Sequence, residues 1–424
     1  MSMKIGDALE RLMAHHGVPY RFSAYDGSTA GPADSDIHVV LKNERGLRYL
    51  LTAPGDLGMA RAYVMGDVEV QGIHPGDPYP ALIRMKNNLT FTLPGPVEMA
   101  KILAGIGITH LVPPPPPAQE HLPRWRRFVE GARHSLARDA GVISHHYDIS
   151  NRFYELVLGP SMTYTCAVYD TPETTLEDAQ AAKYDLVCRK LDLQPGQRLL
   201  DIGSGWGGMV RHAAKHYGVT AIGVTLSQEQ ALWAEEAIKR EGLEEVAEVR
   251  FGDYRDIEER GFDALSSIGL TEHVGVKNYP SYFGFIKDKL VPGARVLNHS
   301  ITRHTNKSLQ TGPFIDRYVF PDGELTGSGK IITEMQEVGL EVRHEENLRE
   351  HYALTCAAWN RNLVEHWDEC VAEVGEGTAK VWGIYLAGSR IGFEWNEIQL
   401  HQVLGVLPHD DGRSEFPLRP TWLS

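Results

Sequence analysis

A glycine-rich stretch of the chain combines one acid with several closely spaced glycines. Residues 199–208 read Leu-Leu-Asp-Ile-Gly-Ser-Gly-Trp-Gly-Gly, and a helical pattern follows from Met209. Glycine lacks a Cβ atom, so a run of this kind lets the backbone approach a bound ligand closely. No Gly-Lys-Ser/Thr follows, which argues against a phosphate loop. The stretch therefore predicts a strand that ends near Asp201, a tight turn and a helix N-terminus around a ligand.

Helical and strand-like segments alternate around this turn, from about residue 140 to about residue 345. The alternation predicts a doubly wound parallel α/β sheet, whose ligands bind at the carboxyl ends of the strands. The predicted strands are Arg198–Ile202, Ala221–Thr225, Ala247–Phe251, Asp263–Ile268 and Arg295–Ser300. The predicted helices are Leu176–Leu191, Met209–Tyr217 and Gln228–Glu241. An acid placed two residues before the first glycine is also where class I methyltransferases hold S-adenosylmethionine (SAM).

The composition limits the function classes. The 424 residues carry a net charge of −14, which argues against nucleic acid as a partner and against general adhesion to anionic membranes. No run of eighteen apolar residues occurs, so we expect no membrane-spanning segment. The first residues lack the apolar core of a signal peptide, and the four cysteines have no paired or metal-like spacing. We therefore expect a cytoplasmic protein without a metal site.

The region before the alternating segments is predicted to form a separate domain. Residues 1–112 are expected to fold as a small α/β or α+β unit that serves positioning or dimerisation. It is predicted to begin with a helix at Ile5–His15 and to contain strands at His38–Lys42 and Arg48–Leu51. Nothing in this region has a catalytic spacing.

A linker region at 113–139 separates this domain from the catalytic region, which is predicted to span 140–424 with helical lid elements. The linker begins with five prolines, and an amphipathic basic helix is predicted at 124–138. Such a helix can lie in a membrane interface, or it can pack as a linker helix with a solvated basic side. The sequence leaves both interpretations open.

Three further motifs accompany the glycine-rich turn. They lie at Ser144–Tyr154 with Pro160–Ala167, at Gly223–Gln230 and at Glu272–Gly275. In this order, the four motifs closely resemble the cyclopropane fatty acid synthase family of SAM-dependent methyltransferases, and the resemblance covers about residues 120 to 405. The N-terminal domain is similar to the extra domain of the phospholipid-acting branch of that family, which suggests a lipid-positioning role.

The resemblance implies a reaction at a cis double bond of a phospholipid-bound unsaturated acyl chain. The alkene attacks the methyl group of SAM, and the carbocation that remains on the chain loses a proton to a bound bicarbonate ion. The residues that resemble the family's bicarbonate cage are Cys166, Glu272, His299, Ile301 and Tyr352. Glu272 and His299 would orient the bicarbonate. Taken alone, Cys166 could be a small buried hydrophobe, His299 a core histidine, and Tyr352 lies in a predicted loop.

The resemblance also implies a set of SAM contacts. They are Tyr147, Tyr164, Thr165, Asp201, Gly203, Ser204, Gly205, Trp206, Gly207, Thr225, Leu226, Gln230, Asp253 and Tyr254. Methyltransferases commonly place an acid at the end of the second strand to hold the ribose hydroxyls. This chain has Thr225 there, so ribose recognition is expected to depend on Gln230. Asp253 and Tyr254 are expected to face the adenine.

One departure from the family bears on the product. Thr271 precedes Glu272, where many members carry a bulky apolar residue. A polar group beside the cation would change how the cation collapses. Loss of a proton from the transferred methyl, or from a neighbouring carbon after a hydride shift, gives a methylene branch, as in the actinobacterial enzymes that the full-length pattern resembles. Ring closure to a cyclopropane is the alternative. A methylene product would in turn imply a reductase as a further partner.

Two other function classes stay open at this stage. Methylation of a small polar molecule would need a polar pocket, whereas the C-terminal part of the chain is rich in aromatic residues. A SAM-sensing lipid-binding protein would keep the glycine-rich turn without needing Cys166, Glu272 and His299 together. The leading hypothesis is a methyltransferase that meets unsaturated phospholipid at the inner face of the cell membrane, as a peripheral protein and a candidate homodimer.

Overall fold

A computed structural model describes residues 3–13, 17–88, 95–121, 150–321 and 323–423 of the chain. Tyr147 and the predicted basic helix at 124–138 lie outside the described residues. Contacts divide the chain into two compact units. Unit 1 comprises Met1–Leu122, Gly312–Val319 and Asn360–Ile391, and unit 2 comprises Pro123–Thr311, Phe320–Trp359 and Gly392–Ser424.

The described residues contain the following helices and strands. The helices are α1 Ile5–Leu12, α2 Glu44–Thr52, α3 Asp56–Val64, α4 Tyr79–Asn88, α5 Pro96–Ile106, α6 Asn151–Leu158, α7 Leu176–Leu191, α8 Gly208–Tyr217, α9 Gln228–Glu241, α10 Thr271–Val274, α11 Tyr279–Lys289, α12 Pro313–Tyr318, α13 Ser328–Glu337, α14 Arg349–Glu365, α15 Trp367–Val374 and α16 Glu376–Glu394. The strands are β1 Arg21–Ala24, β2 Thr29–Ala30, β3 His38–Leu41, β4 Val68–Gln71, β5 Arg198–Ile202, β6 Thr220–Thr225, β7 Ala247–Phe251, β8 Phe262–Ile268, β9 Leu290–Thr302, β10 Leu309–Gln310, β11 Glu324–Leu325, β12 Glu341–Asn347 and β13 Gln399–Val406.

Unit 1 contains a small four-stranded sheet in the order β2-β1-β3-β4. β1 and β3 run parallel, while β2 and β4 pair antiparallel to their neighbours. Helices α1 and α2 pack their apolar residues into the core of this unit, which includes Ile5, Phe22, Leu41 and Leu47. The α/β character predicted for the N-terminal region is thus present, and β3 confirms the strand predicted at His38–Lys42.

The strand predicted at Arg48–Leu51 is wrong, because these residues lie inside α2. The side chain of Asn43 accepts a hydrogen bond from Gly46 N at 3.0 Å and thereby caps the helix N-terminus. Leu47, Leu50 and Leu51 share one helical face through their i, i+3 and i+4 spacing. A short apolar run of this kind reads as either a strand or a helix from sequence alone.

Unit 2 is built on a seven-stranded sheet in the order β12-β13-β9-β8-β5-β6-β7. The five strands from β9 to β7 pair in parallel, with helices between successive strands. Apolar clusters cover both faces of the sheet, one around α7, α8 and α9 and the other around α11 and α13. The five predicted strands are therefore confirmed, with β8 and β9 extended at their ends.

The sheet also contains two antiparallel strands at one edge, beside the five parallel strands that the sequence predicted. β13 pairs antiparallel with β9, and β12 pairs antiparallel with β13. Both additional strands come from the C-terminal part of the chain, for which the sequence indicated only aromatic-rich segments. Among the helices of the described residues, none has the length and apolar character needed to cross a membrane.

Candidate active site

The glycine-rich turn at 203–207 connects β5 to α8. Gly203, Gly205 and Gly207 have φ angles of 80°, 54° and 73°, a backbone region that residues with a Cβ atom rarely adopt. The backbone N–H groups of Gly203 and Ser204 both donate to Val224 O, at 3.0 and 2.9 Å, and fasten the turn to β6. The predicted strand, turn and helix are confirmed, and Trp206 is buried inside the turn.

Asp201 lies at the end of β5, where it is buried against the neighbouring strand. Ser266 Oγ on β8 donates to Asp201 Oδ1 at 2.6 Å. Burial raises the pKa of Asp201 to about 6, although the bond from Ser266 and the positive charge of Lys183 act in the opposite direction. The carboxyl group is thus fixed in orientation two residues before the first glycine of the turn.

The end of β6 brings together Thr225 and Gln230, two of the predicted SAM contacts. Thr225 Oγ1 lies 2.7 Å from Gln230 Oε1, and both side chains are buried. Because an amide oxygen only accepts, the Thr225 hydroxyl donates, and the Gln230 amide nitrogen keeps its two hydrogens for other acceptors. Ser227 caps α9 by accepting from Gln230 N at 3.3 Å, so the Gln230 backbone is fixed as well. Leu226 lies between these two polar residues.

Asp253 follows β7, but its carboxylate is engaged by a neighbouring side chain. Arg255 Nε and one terminal nitrogen donate to the two oxygens of Asp253 at 2.7 and 2.6 Å. Burial opposes ionisation of Asp253, yet the hydrogen bonds from Arg255 outweigh it and lower the pKa. The Tyr254 ring packs edge-on against Tyr282 and Phe285, with centroids 5.6 and 5.2 Å away.

The segment Tyr164–Cys166 is held by helix α7. Gln180 Nε2 donates to Thr165 O at 2.9 Å, and Lys183 Nζ donates to Thr165 Oγ1 at 3.1 Å. Lys183 is fully buried, and burial lowers its pKa to about 7. Gln180 and Lys183 were not among the predicted site residues, because they lie within a predicted helix and belong to none of the four motifs. The available signal was that polar residues, Gln180, Lys183 and Lys190, interrupt the apolar buried face of this helix.

Aromatic rings surround this segment. Tyr164 lies 5.4 Å from Trp359 and 6.0 Å from Tyr154, measured between ring centroids, and Tyr154 lies 4.9 Å from Trp206. Tyr352 stacks on Phe393 with centroids 4.5 Å apart and meets Trp359 edge-on at 6.0 Å. The glycine-rich turn and the segment before α7 therefore meet a cluster of buried aromatic side chains.

Tyr352 lies in helix α14, not in the loop that the sequence analysis expected. Its backbone N–H donates to Leu348 O at 3.2 Å, and the Cys166 thiol lies 3.8 Å from the same carbonyl oxygen. Cys166 is fully buried, and burial raises the pKa of its thiol well above the ordinary value. Cys166 therefore carries a neutral thiol, and the structure brings it to the same carbonyl as Tyr352.

Glu272 and His299 each have one buried polar atom without a hydrogen-bond partner among the described residues. Ile301 N donates to Glu272 Oε1 at 2.6 Å, whereas Glu272 Oε2 has no partner among the described residues. His299 Nδ1 meets Gln402 on β13, and within the same part of the chain Nε2 has no partner. Burial raises the pKa of Glu272 to about 7 and lowers that of His299 well below its ordinary value. Buried polar atoms in this state indicate a ligand.

The side chains of Thr271 and its neighbour Glu272 make different contacts. Asn298 Nδ2 donates to Thr271 Oγ1, and both residues are buried. Because successive side chains of a strand alternate between faces, Asn298 lies on the face of β9 opposite to His299. The Thr271 hydroxyl is thus hydrogen-bonded on the face of β9 opposite to His299. The expectation that it lies beside a reacting cation loses its geometric basis.

Comparisons with known proteins identify sequences similar to this chain. The family model of mycolic acid cyclopropane synthetase matches residues 134–403. A probable fatty acid methyltransferase of Mycobacterium tuberculosis is 57% identical over 421 residues, which cover 99% of this chain and 98% of the relative. The cyclopropane-fatty-acyl-phospholipid synthase of Escherichia coli K12 is 36% identical and covers 61% of this chain and 66% of its own length.

Solved structures give the same result for the fold. A cyclopropane synthase from Mycobacterium tuberculosis shares 31% identity, with a TM-score of 0.59 over 63% of this chain and 98% of that chain. A mycolic acid cyclopropane synthase complexed with S-adenosylhomocysteine (SAH) and CTAB shares 29% identity, with a TM-score of 0.59 over 63% and 97%. The chain therefore belongs to the mycolic acid cyclopropane synthetase family, and it is a SAM-dependent methyltransferase with the class I α/β fold.

Proposed function

We propose that the protein transfers a one-carbon unit from SAM to a cis double bond of a phospholipid-bound unsaturated fatty acyl chain. The names of two relatives, a fatty acid methyltransferase and a cyclopropane-fatty-acyl-phospholipid synthase, support this acceptor class. The observation that carries the proposal is a pair of buried atoms, Glu272 Oε2 and His299 Nε2, that have no hydrogen-bond partner among the described residues.

SAM, when bound, supplies an electrophilic methyl group. The positive-φ glycines of the turn leave room for its amino acid part, and Asp201 is oriented towards this region by Ser266. Thr225 fixes the amide of Gln230, so that the nitrogen of Gln230 can donate to the ribose hydroxyls. Thr165, held by Gln180 and Lys183, is proposed to contact the cofactor from the other side.

The acceptor must be an alkene that meets the methyl group in a dry environment. The π electrons of the double bond form the new C–C bond as the C–S bond breaks, which releases SAH and leaves a cation on the acyl chain. The aromatic faces of Tyr164, Trp359 and Tyr352 can stabilise that positive charge, since the faces of aromatic rings carry negative potential. Burial of the Trp359 and Tyr352 rings also excludes water, which would trap the cation as an alcohol.

Bicarbonate fits the residues around Glu272. When bound, it would supply the base that removes a proton from the cation. Its oxygen atoms and single hydrogen match a cradle that offers a carboxylate oxygen, an imidazole nitrogen and a neutral thiol. The thiol of Cys166 is fully buried with a raised pKa, which argues against a thiolate as the base. Glu272 and His299 are therefore proposed to orient the ion rather than to act alone.

The product proposed is a methylene-branched chain, with a cyclopropane as the alternative. The support for methylene rests on the sequence resemblance and on the methyltransferase name of the relative that matches nearly the full chain. A polar Thr271 hydroxyl beside the cation was one argument for the methylene product. The hydrogen bond from Asn298 to that hydroxyl removes this argument. Mild catalytic hydrogenation of the lipid product distinguishes the two, because a methylene branch takes up hydrogen and a saturated ring does not.

Access to the acyl chain is proposed to occur at the inner membrane face. The basic residues Arg126, Arg127 and Arg133 would provide local attraction to anionic lipids despite the acidic net charge. Reversal of these three charges to glutamate is expected to weaken binding to anionic vesicles at low salt. Unchanged vesicle binding would refute this route. A homodimer and a reductase for the product stay predictions.

The direct test compares SAH release in the presence of vesicles that differ only in acyl unsaturation. Vesicles of a cis-unsaturated phosphatidyl lipid are expected to stimulate SAH release, and vesicles of its saturated counterpart are not. Equal release with both would point to a headgroup acceptor or to uncoupled hydrolysis. Tight lipid binding without SAH release would instead support the SAM-sensing lipid-binding alternative.

A further inference from the structure

A buried chain of hydrogen bonds leads from helix α7 to His299. Lys190 Nζ donates to Gln402 Oε1 at 2.6 Å, and Gln402 Nε2 lies 3.1 Å from His299 Nδ1. Lys190, Gln402 and His299 are each at most 1% exposed. Gln402 lies directly opposite His299 in the antiparallel β9–β13 pairing, so the strand register fixes this contact. Glu346 on β12 contacts the Lys190 ammonium as well.

The chemistry of these groups permits one arrangement of hydrogens. An ammonium has three donors and no acceptor, so it must face the oxygen of the Gln402 amide. The amide nitrogen then faces His299, and because it only donates, His299 Nδ1 must accept. A neutral imidazole that accepts at one nitrogen carries its hydrogen on the other. That other nitrogen is Nε2, the atom left without a partner among the described residues.

We propose that Lys190 and Gln402 are positioning residues that fix the tautomer of His299, so that its Nε2–H points into the site as a hydrogen-bond donor. The histidine is thereby prevented from serving as the base of the reaction. It presents one hydrogen to an oxyanion instead. This assignment of a donor role rests on the proposed function for its ligand, whereas the tautomer itself can be measured on the protein alone.

The charges around His299 favour the neutral ring. Lys183 and Lys190 on α7 both oppose a second positive charge, and burial acts in the same direction. Glu272 on α10 meets the same end of β9 through Ile301, and Glu346 lies beyond Lys190. Protonation of Nδ1 would also set two donors against each other at the Gln402 contact. Burial lowers the pKa of Lys190, whereas the carboxylate of Glu346 beside it acts in the opposite direction and favours the ammonium form on which the arrangement depends.

Nitrogen NMR on histidine-labelled protein tests the tautomer without any activity measurement. His299 is identified among the 19 histidines by comparison with the His299→Asn variant. In the wild-type protein near neutral pH, we expect Nε2 to give the signal of a protonated ring nitrogen and Nδ1 that of an unprotonated one. The reverse pattern, or a doubly protonated ring, would overturn the proposal. The tautomer is read from the wild-type spectrum, and the folded variant serves only to assign the His299 signals.

Gln402→Glu supplies the second test, since a carboxylate accepts where the amide donates. We expect the hydrogen of His299 to move to Nδ1, and kcat to fall by about tenfold or more while the KM for SAM changes little. Gln399→Glu is the matched control, because it makes the same change on the same strand while its side chain contacts Asn396. It should leave both the NMR pattern and kcat unchanged. An unaltered tautomer in a folded Gln402→Glu protein would contradict the proposal.

The two proposals fail in different ways. If the wild type shows the expected Nε2–H signal but releases no SAH with unsaturated lipid, the proposed function fails and the tautomer assignment stands. If lipid is methylated while Nδ1 carries the hydrogen, the tautomer assignment fails and the proposed function stands. Addition of bicarbonate alone is expected to shift the Nε2 signal, and absence of any shift would overturn the donor role.

Discussion

Ile301 N donates to Glu272 Oε1 at 2.6 Å and leaves Oε2 of the same carboxylate buried without a described partner. The backbone thus supports one oxygen and directs the other into the site. This division explains why one carboxylate can be both well ordered and available to a ligand. It also gives the substitution of Glu272 a defined outcome.

Glu272→Gln keeps an oxygen for Ile301 N and removes the carboxylate. We expect SAM binding, measured by calorimetry, to be retained, and lipid-dependent SAH release to fall by about 100-fold or more because a buried electrostatic group is lost. Glu337→Gln on the exposed side of α13 is the control and should behave as the wild type. Substantial turnover by Glu272→Gln would show that this carboxyl group is not part of the reaction.

The raised pKa of Glu272 predicts a pH-dependent cost to stability. Its folded-state pKa is about 7, whereas the ordinary pKa of a glutamate side chain is about 4.5, so folding favours the protonated form. The folded wild type therefore loses stability as pH rises from about 4.5 to about 7, by up to about 3 kcal/mol. Urea unfolding of wild type and Glu272→Gln at low and high pH measures this effect. The variant's advantage should grow with pH, and parallel pH profiles would be inconsistent with the assigned shift.

Gln230 is expected to act on cofactor affinity rather than on the chemical step. Gln230→Leu removes the amide that Thr225 orients and should raise the KM for SAM by up to about tenfold, with kcat little changed, as for the loss of one neutral hydrogen bond. Gln228→Leu, at an exposed position at the start of the same helix, serves as the control. A fall in kcat with unchanged KM would assign Gln230 to a different role.

Cys166 is expected to resist alkylation. The four cysteines all lie in described residues, where each is buried and none forms a disulfide, and burial raises the pKa of the Cys166 thiol, so little reactive thiolate forms at pH 8. Intact mass after iodoacetamide treatment should show no adduct on the native protein and four adducts in urea. Rapid native labelling of Cys166 would contradict the neutral, inaccessible thiol. Cys166→Ser should reduce turnover less than Glu272→Gln does.

The sequence predicted well those parts of the protein that are encoded locally. The strand at Arg198–Ile202 and the turn after it follow from an apolar run and glycines that tolerate positive φ. The contact between Thr225 and Gln230 lies within a strand end and the first turn of a helix. Residues that are close in sequence are also close in space here, so a short sequence motif carries the information about their arrangement.

The parts that the sequence analysis missed depend on distant contacts. Lys190 and Gln402 are separated by 212 positions, and only the antiparallel docking of β13 on β9 brings them to His299. Neither residue belongs to a recognisable motif. The assignment of Tyr352 to a loop failed because α14 is stabilised by burial of Tyr352, Cys356 and Trp359 rather than by a clear amphipathic pattern.

The central claim is tested most directly by mass spectrometry of lipid extracted after incubation with methyl-labelled SAM. Purified protein and unsaturated phospholipid vesicles should yield phospholipid whose acyl chain has gained one methylene unit that carries the label. Fragmentation should place the label at the former double bond and leave the headgroup unlabelled. Label in the headgroup, or no labelled lipid from a protein that binds SAM, would contradict the account.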